Sequence, residues 1–166
     1  QLFVGLTGFD EKANVIPSLA TEWSVSDDGL EWTFNLRDDI HWAHRDPNTG
    51  EFEDLGPVTA GDVVYGVTRT LDPSTASDYS YVLYPIAGAE EFNTADPAAE
   101  EFEELRAGVG VSAPDDKTVE FSLHTPAAYF PSLTAMWVTF PLPQAAIDQW
   151  GDNWTEAGLI VTSGPY

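Results

Sequence analysis

Cysteine is absent from the 166 residues. That excludes a disulfide scaffold, thiolate chemistry and zinc sites built on cysteine. Positive charge is nearly as scarce: two lysines and four arginines stand against 28 acidic residues, for a formal net charge of −22. Nucleic acid and anionic lipid are therefore poor partners, since both need basic patches that displace counterions. No apolar run approaches the roughly 20 residues that a membrane-spanning helix needs. Gln1 to Leu6 carry neither a basic region nor a cleavage site, no initiating methionine is present, and Ser163-Gly164-Pro165-Tyr166 ends abruptly. The chain reads as a piece of a longer protein. Apolar and aromatic residues are plentiful, at 43% and 13% with six tryptophans, so one compact domain over residues 1–166 is expected. The acidity reads either as a solvated surface or as a field that attracts cationic ligands. Screening over roughly 8–10 Å favours the first.

Alternation locates the strands. Trp32, Phe34 and Leu36 alternate with Thr33, Asn35 and Arg37, and Asp28-Gly29 separates them from Trp23-Ser24-Val25. That is a hairpin with one aromatic and one polar face. Val119, Phe121 and Leu123 repeat the pattern after Pro114-Asp115-Asp116-Lys117, with Val109 to Ala113 as the partner. Thr59 with Asp62 three residues on resembles a capping box, and Val63, Val67 and Leu71 follow at helical spacing before Asp72-Pro73; a helix over 60–71 is predicted. Asp46 to Gly50 is turn chemistry, followed by an acidic loop to Gly56. Residues 74–95 read as an irregular loop and 96–106 as an exposed amphipathic helix. Ala127 to Ala135 reads as a short helix, Val138 to Leu142 as an apolar strand, and Pro143 to Trp150 as a helix ended by Gly151. Hairpins separated by helices predict an α+β domain with antiparallel pairing.

Candidate chemistry is sparse. His41 and His44, with Asp39 and Asp46 nearby, straddle a strand end and a turn, and read as surface histidines in preference to metal ligands. Asp46-x-Asn48-x-Gly50-Glu51 lacks the glycine position and distal glutamate of a calcium loop. Paired acids are numerous enough for chance proximity, so a glycosidase-like pair is not indicated. Ser163 lacks the leading glycine of a nucleophile elbow, and His124 has no evident partner. Catalysis has no positive support, and nothing calls for a cofactor. Tyr79, Tyr81 and Tyr84 fall in a loop between helices. Tyrosine offers a rigid face and a hydrogen-bonding tip for ligand contact, although loop packing is its commoner role.

Several strings, in order, resemble family 5 extracellular solute-binding proteins, the oligopeptide and dipeptide receptors of ABC importers. They are Ile16 to Trp23, Asp28 to Arg37 with Ile40-His41-Trp42, Pro57 to Tyr65, Asp115 to Val119, and Thr162 to Tyr166. Asp72-Pro73-Ser74-Thr75-Ala76-Ser77-Asp78-Tyr79 and Trp150 to Trp154 most resemble the oligopeptide class.

The resemblance implies a small lobe of a periplasmic-binding-protein-like, type II peptide receptor. It implies capture of oligopeptide outside the cytoplasmic membrane, in the periplasm or lipid-anchored at its outer face. Delivery would be to an ABC permease, with no chemistry done on the ligand. It places Tyr79 in the peptide cleft, and Tyr79 and Tyr81 are the candidate ligand-binding residues. Three rival readings remain: a carbohydrate-binding or carbohydrate-active domain, suggested by the tryptophans and acids; a structural or adhesive surface domain; and a sugar or nickel receptor of the same family.

Overall fold

The computed structural model describes residues 2–164. Strands β1 (Thr7–Phe9) and β2 (Val15–Pro17) form a small antiparallel hairpin. Asp10 shapes its turn by accepting from the backbone N–H groups of Lys12 and Asn14, both at 2.8 Å. Then come β3 (Ala20–Val25) and β4 (Glu31–Leu36), which pair antiparallel around the Asp28-Gly29 turn as the alternation predicts. Gly29 sits at φ +77°, a left-handed conformation that suits glycine.

Strands β5 (His41–Arg45) and β6 (Phe52–Pro57) follow, then helix α1 (Ala60–Leu71). The remaining elements are α2 (Ala89–Asn93), α3 (Phe102–Ala107), β7 (Val111–Asp115), β8 (Thr118–Ser122), α4 (Phe130–Leu133), α5 (Gln144–Trp150) and β9 (Val161–Thr162). Short 3₁₀ turns cover Pro73–Thr75, Ser80–Leu83, Trp137–Thr139 and Gly151–Thr155. The result is the expected α+β class, with every strand pair antiparallel.

The two predicted hairpins join into one four-stranded sheet, in the order β3-β4-β8-β7. Register sets Trp32 opposite Phe121 and Phe34 opposite Val119, so the apolar positions of β4 and β8 share a face. Helix α1 packs on that sheet and buries Val63, Val67 and Leu71 completely. Phe34, Phe121 and Phe130 meet in the middle, with centroids 5.8 Å apart for Phe34 and Phe121 and 5.1 Å for Phe121 and Phe130. Offset and edge-on contacts of this kind are the favoured aromatic geometries. Thr33, Asn35, Thr118 and Glu120 occupy the opposite face.

Asp62 ties this layer to the second sheet, ordered β6-β5-β9. Its carboxylate accepts from the Thr59 backbone N–H at 2.8 Å, the Thr59 hydroxyl at 3.0 Å and the buried Trp42 indole N–H at 3.1 Å. One side chain thus starts α1 and holds β5 against it.

Several expectations need correction. The acidic stretch before Gly56 is strand β6, paired with β5 in a hairpin around the Asp46 turn. It was hidden because nearly all of its residues are exposed, so no alternation marks a buried face. His41 and His44 consequently both lie within β5, three apart on a strand, where side chains point to opposite faces. The loop at 74–95 contains α2. The helix expected over 96–106 begins only at Phe102, because Asp96 accepts from the Ala98 N–H in a turn of its own. Only Phe130–Leu133 of the helix expected over 127–135 is helical. The strand expected at 138–142 does not form. Pro141 and Pro143 lack ladder donors, and the Leu142 N–H goes to the Asp62 carbonyl at 3.1 Å. Pro165 and Tyr166, quoted above in the closing string, lie outside the described residues.

Candidate functional site

Helix α1 ends where Asp72 precedes Pro73, which forces Asp72 into an extended conformation at ψ 121°. The Asp72 carboxylate then accepts from the Ser74 N–H at 2.8 Å and caps the turn Pro73–Thr75. Ala76 reverses the chain at φ +51°. The segment that follows folds back as the turn Ser80–Leu83. Its two buried residues, Ser80 and Leu83, face inward and leave Tyr79 and Tyr81 outside.

Asn93, at the end of α2, fastens this segment. Its amide donates to the Leu71 carbonyl at 2.7 Å, and its oxygen accepts from Ser80 Oγ at 2.9 Å and Tyr84 OH at 2.8 Å. The last turn of α1, the tyrosine segment and α2 are therefore locked through one amide. Tyr84 is spent on this bond and is half-buried. Of the three loop tyrosines, the structure exposes Tyr79 (46%) and Tyr81 (58%).

A third aromatic ring arrives from a distant part of the chain. In the turn Trp137–Thr139, Val138 and Thr139 are buried, which turns Trp137 outward with 60% of its surface exposed. Its ring meets that of Tyr79 at a centroid distance of 5.4 Å and an interplanar angle of 83°. Tyr79 and Tyr81 stack at a centroid distance of 6.3 Å and an interplanar angle of 30°. Three large exposed aromatics thus adjoin, Tyr81 stacked on Tyr79 and Trp137 edge-to-face with Tyr79. Sequence reasoning missed both Trp137 and Asn93. One signal was present near Trp137, since Pro141 and Pro143 a few residues on make the segment unfit for a strand.

The other candidates have separate local roles. His41 Nδ1 lies 2.8 Å from both carboxylate oxygens of Asp54, whereas His44 Nε2 lies 2.8 Å from the Gly158 carbonyl oxygen. The Asp54 hydrogen bond raises the His41 pKa above its ordinary value. The Gly56 backbone N–H, then His41, lowers that of Asp54. Among the described residues, no three His, Cys, Asp or Glu side chains are grouped to hold a metal ion. Asp46 uses its carboxylate on the N–H groups of Asn48 and Thr49, at 2.6 and 3.1 Å, which lowers its pKa. Ser163 Oγ accepts from the Val4 N–H at 3.3 Å, and His124 Nδ1 lies 2.8 Å from the Thr125 hydroxyl. No helix among the described residues is long and apolar enough to cross a membrane.

The described residues thus form an antiparallel α+β unit that displays an exposed aromatic surface. The sequence profile of the bacterial extracellular solute-binding proteins, family 5 middle region, matches residues 14–166, and the chain belongs to this family. The periplasmic oligopeptide-binding protein OppA of Escherichia coli (strain K12) is 40% identical over 168 residues, covering 100% of this chain and 28% of that protein. Among solved structures, the substrate-binding domain of an oligopeptide ABC transporter from Bacillus anthracis superposes with a TM-score of 0.83 at 32% identity, covering 99% of this chain and 29% of that one. Haemophilus influenzae OppA in complex with the peptide RPPGFSPFR gives a TM-score of 0.81 at 31% identity, covering 100% and 29%. The chain therefore spans a little over a quarter of the length of the relatives it matches.

Proposed function

We propose that this chain is the small lobe of the substrate-binding receptor of an ABC importer. The receptor captures oligopeptides outside the cytoplasmic membrane and delivers them to the permease, without chemistry on the ligand. The observation that carries this reading is the exposed Tyr79–Tyr81–Trp137 surface, on a lobe of a family whose relatives include oligopeptide-binding proteins. Exposed aromatics are an expense that a protein accepts where they meet a partner, and here they offer one wall of a cleft whose other walls belong to the rest of the receptor. Periplasmic location of OppA and the transporter role of the Bacillus anthracis protein support the placement. The sugar and adhesive readings find no support among these relatives.

Calorimetry on the complete receptor and on the isolated chain tests the reading. The receptor should bind a peptide library with measurable heat. The isolated chain should show no binding at micromolar concentrations, because a single wall buries too little of the ligand to offset the cost of association. Strong binding by the chain alone would overturn the lobe assignment. A receptor that binds sugars in preference to peptides would overturn the function.

A further inference from the structure

We propose that a polar cavity at the C-terminal end of α1 binds a phosphate group carried by a small soluble molecule. The site is separate from the exposed aromatics and does not depend on the peptide-receptor reading.

The cavity measures about 430 Å³, within the roughly 300–1,000 Å³ of small-molecule sites. Helix α1 lends it Tyr65 and Arg69, four residues apart and so on one face of the helix. The turn after α1 adds Ser74 and Thr75, and the last turn of α3 adds Arg106. The chain has only four arginines, and two of them open into this one cavity. Each lies in the last turn of its helix, where a cation meets the negative end of the macrodipole. That accounts for one arginine per helix. It does not account for their convergence.

The donors gathered here are largely unengaged. Among the described residues, the half-buried Arg69 pairs with no carboxylate, and Arg106 reaches only the exposed Glu103, at 4.0 Å. The backbone N–H groups of Ser74 and Thr75 are both held by Asp72, but among the described residues neither side-chain hydroxyl has a hydrogen-bond partner. Partial burial pushes the Tyr65 pKa up, against the opposing pull of Arg69, so the phenol stays protonated and keeps an O–H to donate. Two acids also line the cavity. Asp72 is engaged by the turn, and Asp152 stands exposed to water.

Two planar guanidinium forks and three hydroxyls suit a tetrahedral oxyanion. Each fork can engage two oxygens at once, and the hydroxyls reach those that remain. A carboxylate, with only two oxygens, would leave part of the set idle. The net charge of −22 argues against phosphate on a membrane surface, whose many charges would repel the chain. A single small anion inside the cavity feels chiefly its near neighbours, because distant charge is screened within roughly 8–10 Å.

The test is calorimetric titration of the complete receptor with inorganic phosphate and with glycerol phosphate. Both should bind, with a dissociation constant of about 1 mM or tighter. Arg69→Gln and Arg106→Gln, each checked for folding by its melting temperature, should each weaken binding by about 10-fold or more. Arg69→Lys keeps the charge without the fork and should lose less. Arg45→Gln, which removes an exposed arginine outside the cavity, should change nothing. No binding up to about 10 mM of either probe would overturn the site, as would full-strength binding by either glutamine variant. An equal loss in Arg45→Gln would overturn it too, by reducing the effect to net charge. Vesicles of phosphatidic acid in phosphatidylcholine should not retain the receptor. Retention that Arg69→Gln abolishes would overturn the soluble ligand in favour of a lipid headgroup.

Discussion

Tyr79 shows how much one exposed ring contributes when its neighbours fix it. Nearly half of its surface is open, its own packing is against Tyr81 and Trp137, and Asn93 holds the backbone beneath it through Ser80. Tyr79→Ala should therefore weaken peptide binding by the complete receptor by about 1–2 kcal/mol, the range of a moderate contact residue. Folding stability should change far less than the roughly 3–5 kcal/mol that truncating a buried aromatic costs. Calorimetry for binding and urea unfolding for stability separate the two, and a large stability loss would return the ring to a packing role. His41 makes a different residue-scale prediction. Because its folded pKa is raised by Asp54, its contribution to stability is present below the unfolded value of about 6.5 and fades as pH rises through the folded value. The Asp54 pKa is lowered, so its own contribution is present above about 3.9 and lost as pH falls. An NMR titration should place the His41 midpoint above 6.5 and show it fall in Asp54→Asn. An unchanged midpoint would mean that the pair does not persist in solution. Tyrosine identities made the candidate loop readable from sequence. The choice between packing and exposure was not, because it depends on Ser80 and Leu83 taking the inward positions.

Among the elements, α1 was the most legible, since its cap, its apolar period and its proline stop all agree. What the sequence could not show is how tightly α1 is approached from outside. A Cβ on Gly66 would fall 2.1 Å from the Phe140 carbonyl oxygen. Gly66→Ala, which in a free helix would add about 0.5–1 kcal/mol of stability, should here destabilise by about 1–3 kcal/mol as the 140–142 segment is pushed away. A more stable variant, measured by urea unfolding, would show that the approach is looser than described. Asp62→Ala should also be costly, by about 1–2 kcal/mol in the same assay, because it removes the helix-start acceptor and leaves the buried Trp42 indole N–H without its partner. If it costs nothing, water replaces the carboxylate at both donors. The elements that went unread share a cause. Strand β6 has no buried face, β9 is two residues long and forms only by meeting β5 across more than 110 positions, and β1 and β2 have three residues each. None carries enough local pattern to announce itself: β1–β2 and β5–β6 are short or exposed local hairpins, and β9 exists only because the distant β5 supplies its ladder. The β4 and β8 strands, with one apolar face apiece, were plain.

At the scale of the whole molecule, two features pull in opposite directions. The buried side chains of α1, β4, β8, α2, α4 and β9 belong to a single apolar cluster, so unfolding followed by tryptophan fluorescence and by far-UV circular dichroism should give coincident transitions. Around that core lies the surface of a chain with a net charge of −22. Folding concentrates those acids on a compact body and raises their mutual repulsion above its value in the expanded chain. Exposed ion pairs exist, such as Arg37 with Asp39 and Lys117 with Asp38, but six basic residues can neutralise only a fraction of 28 acids. Surface pairs of this kind are worth little individually, about 0–1 kcal/mol. Salt weakens both the few attractions and the many repulsions, and the repulsions dominate by number. Added NaCl should therefore raise the melting temperature. The rise should be steepest between about 0.01 and 0.15 M, where the screening length contracts from roughly 30 to 8 Å and passes through the spacing of surface charges. Calorimetric melts across that range decide the point. A flat melting temperature would mean that counterions already neutralise the folded surface, and a falling one would mean that the ion pairs outweigh the excess acid.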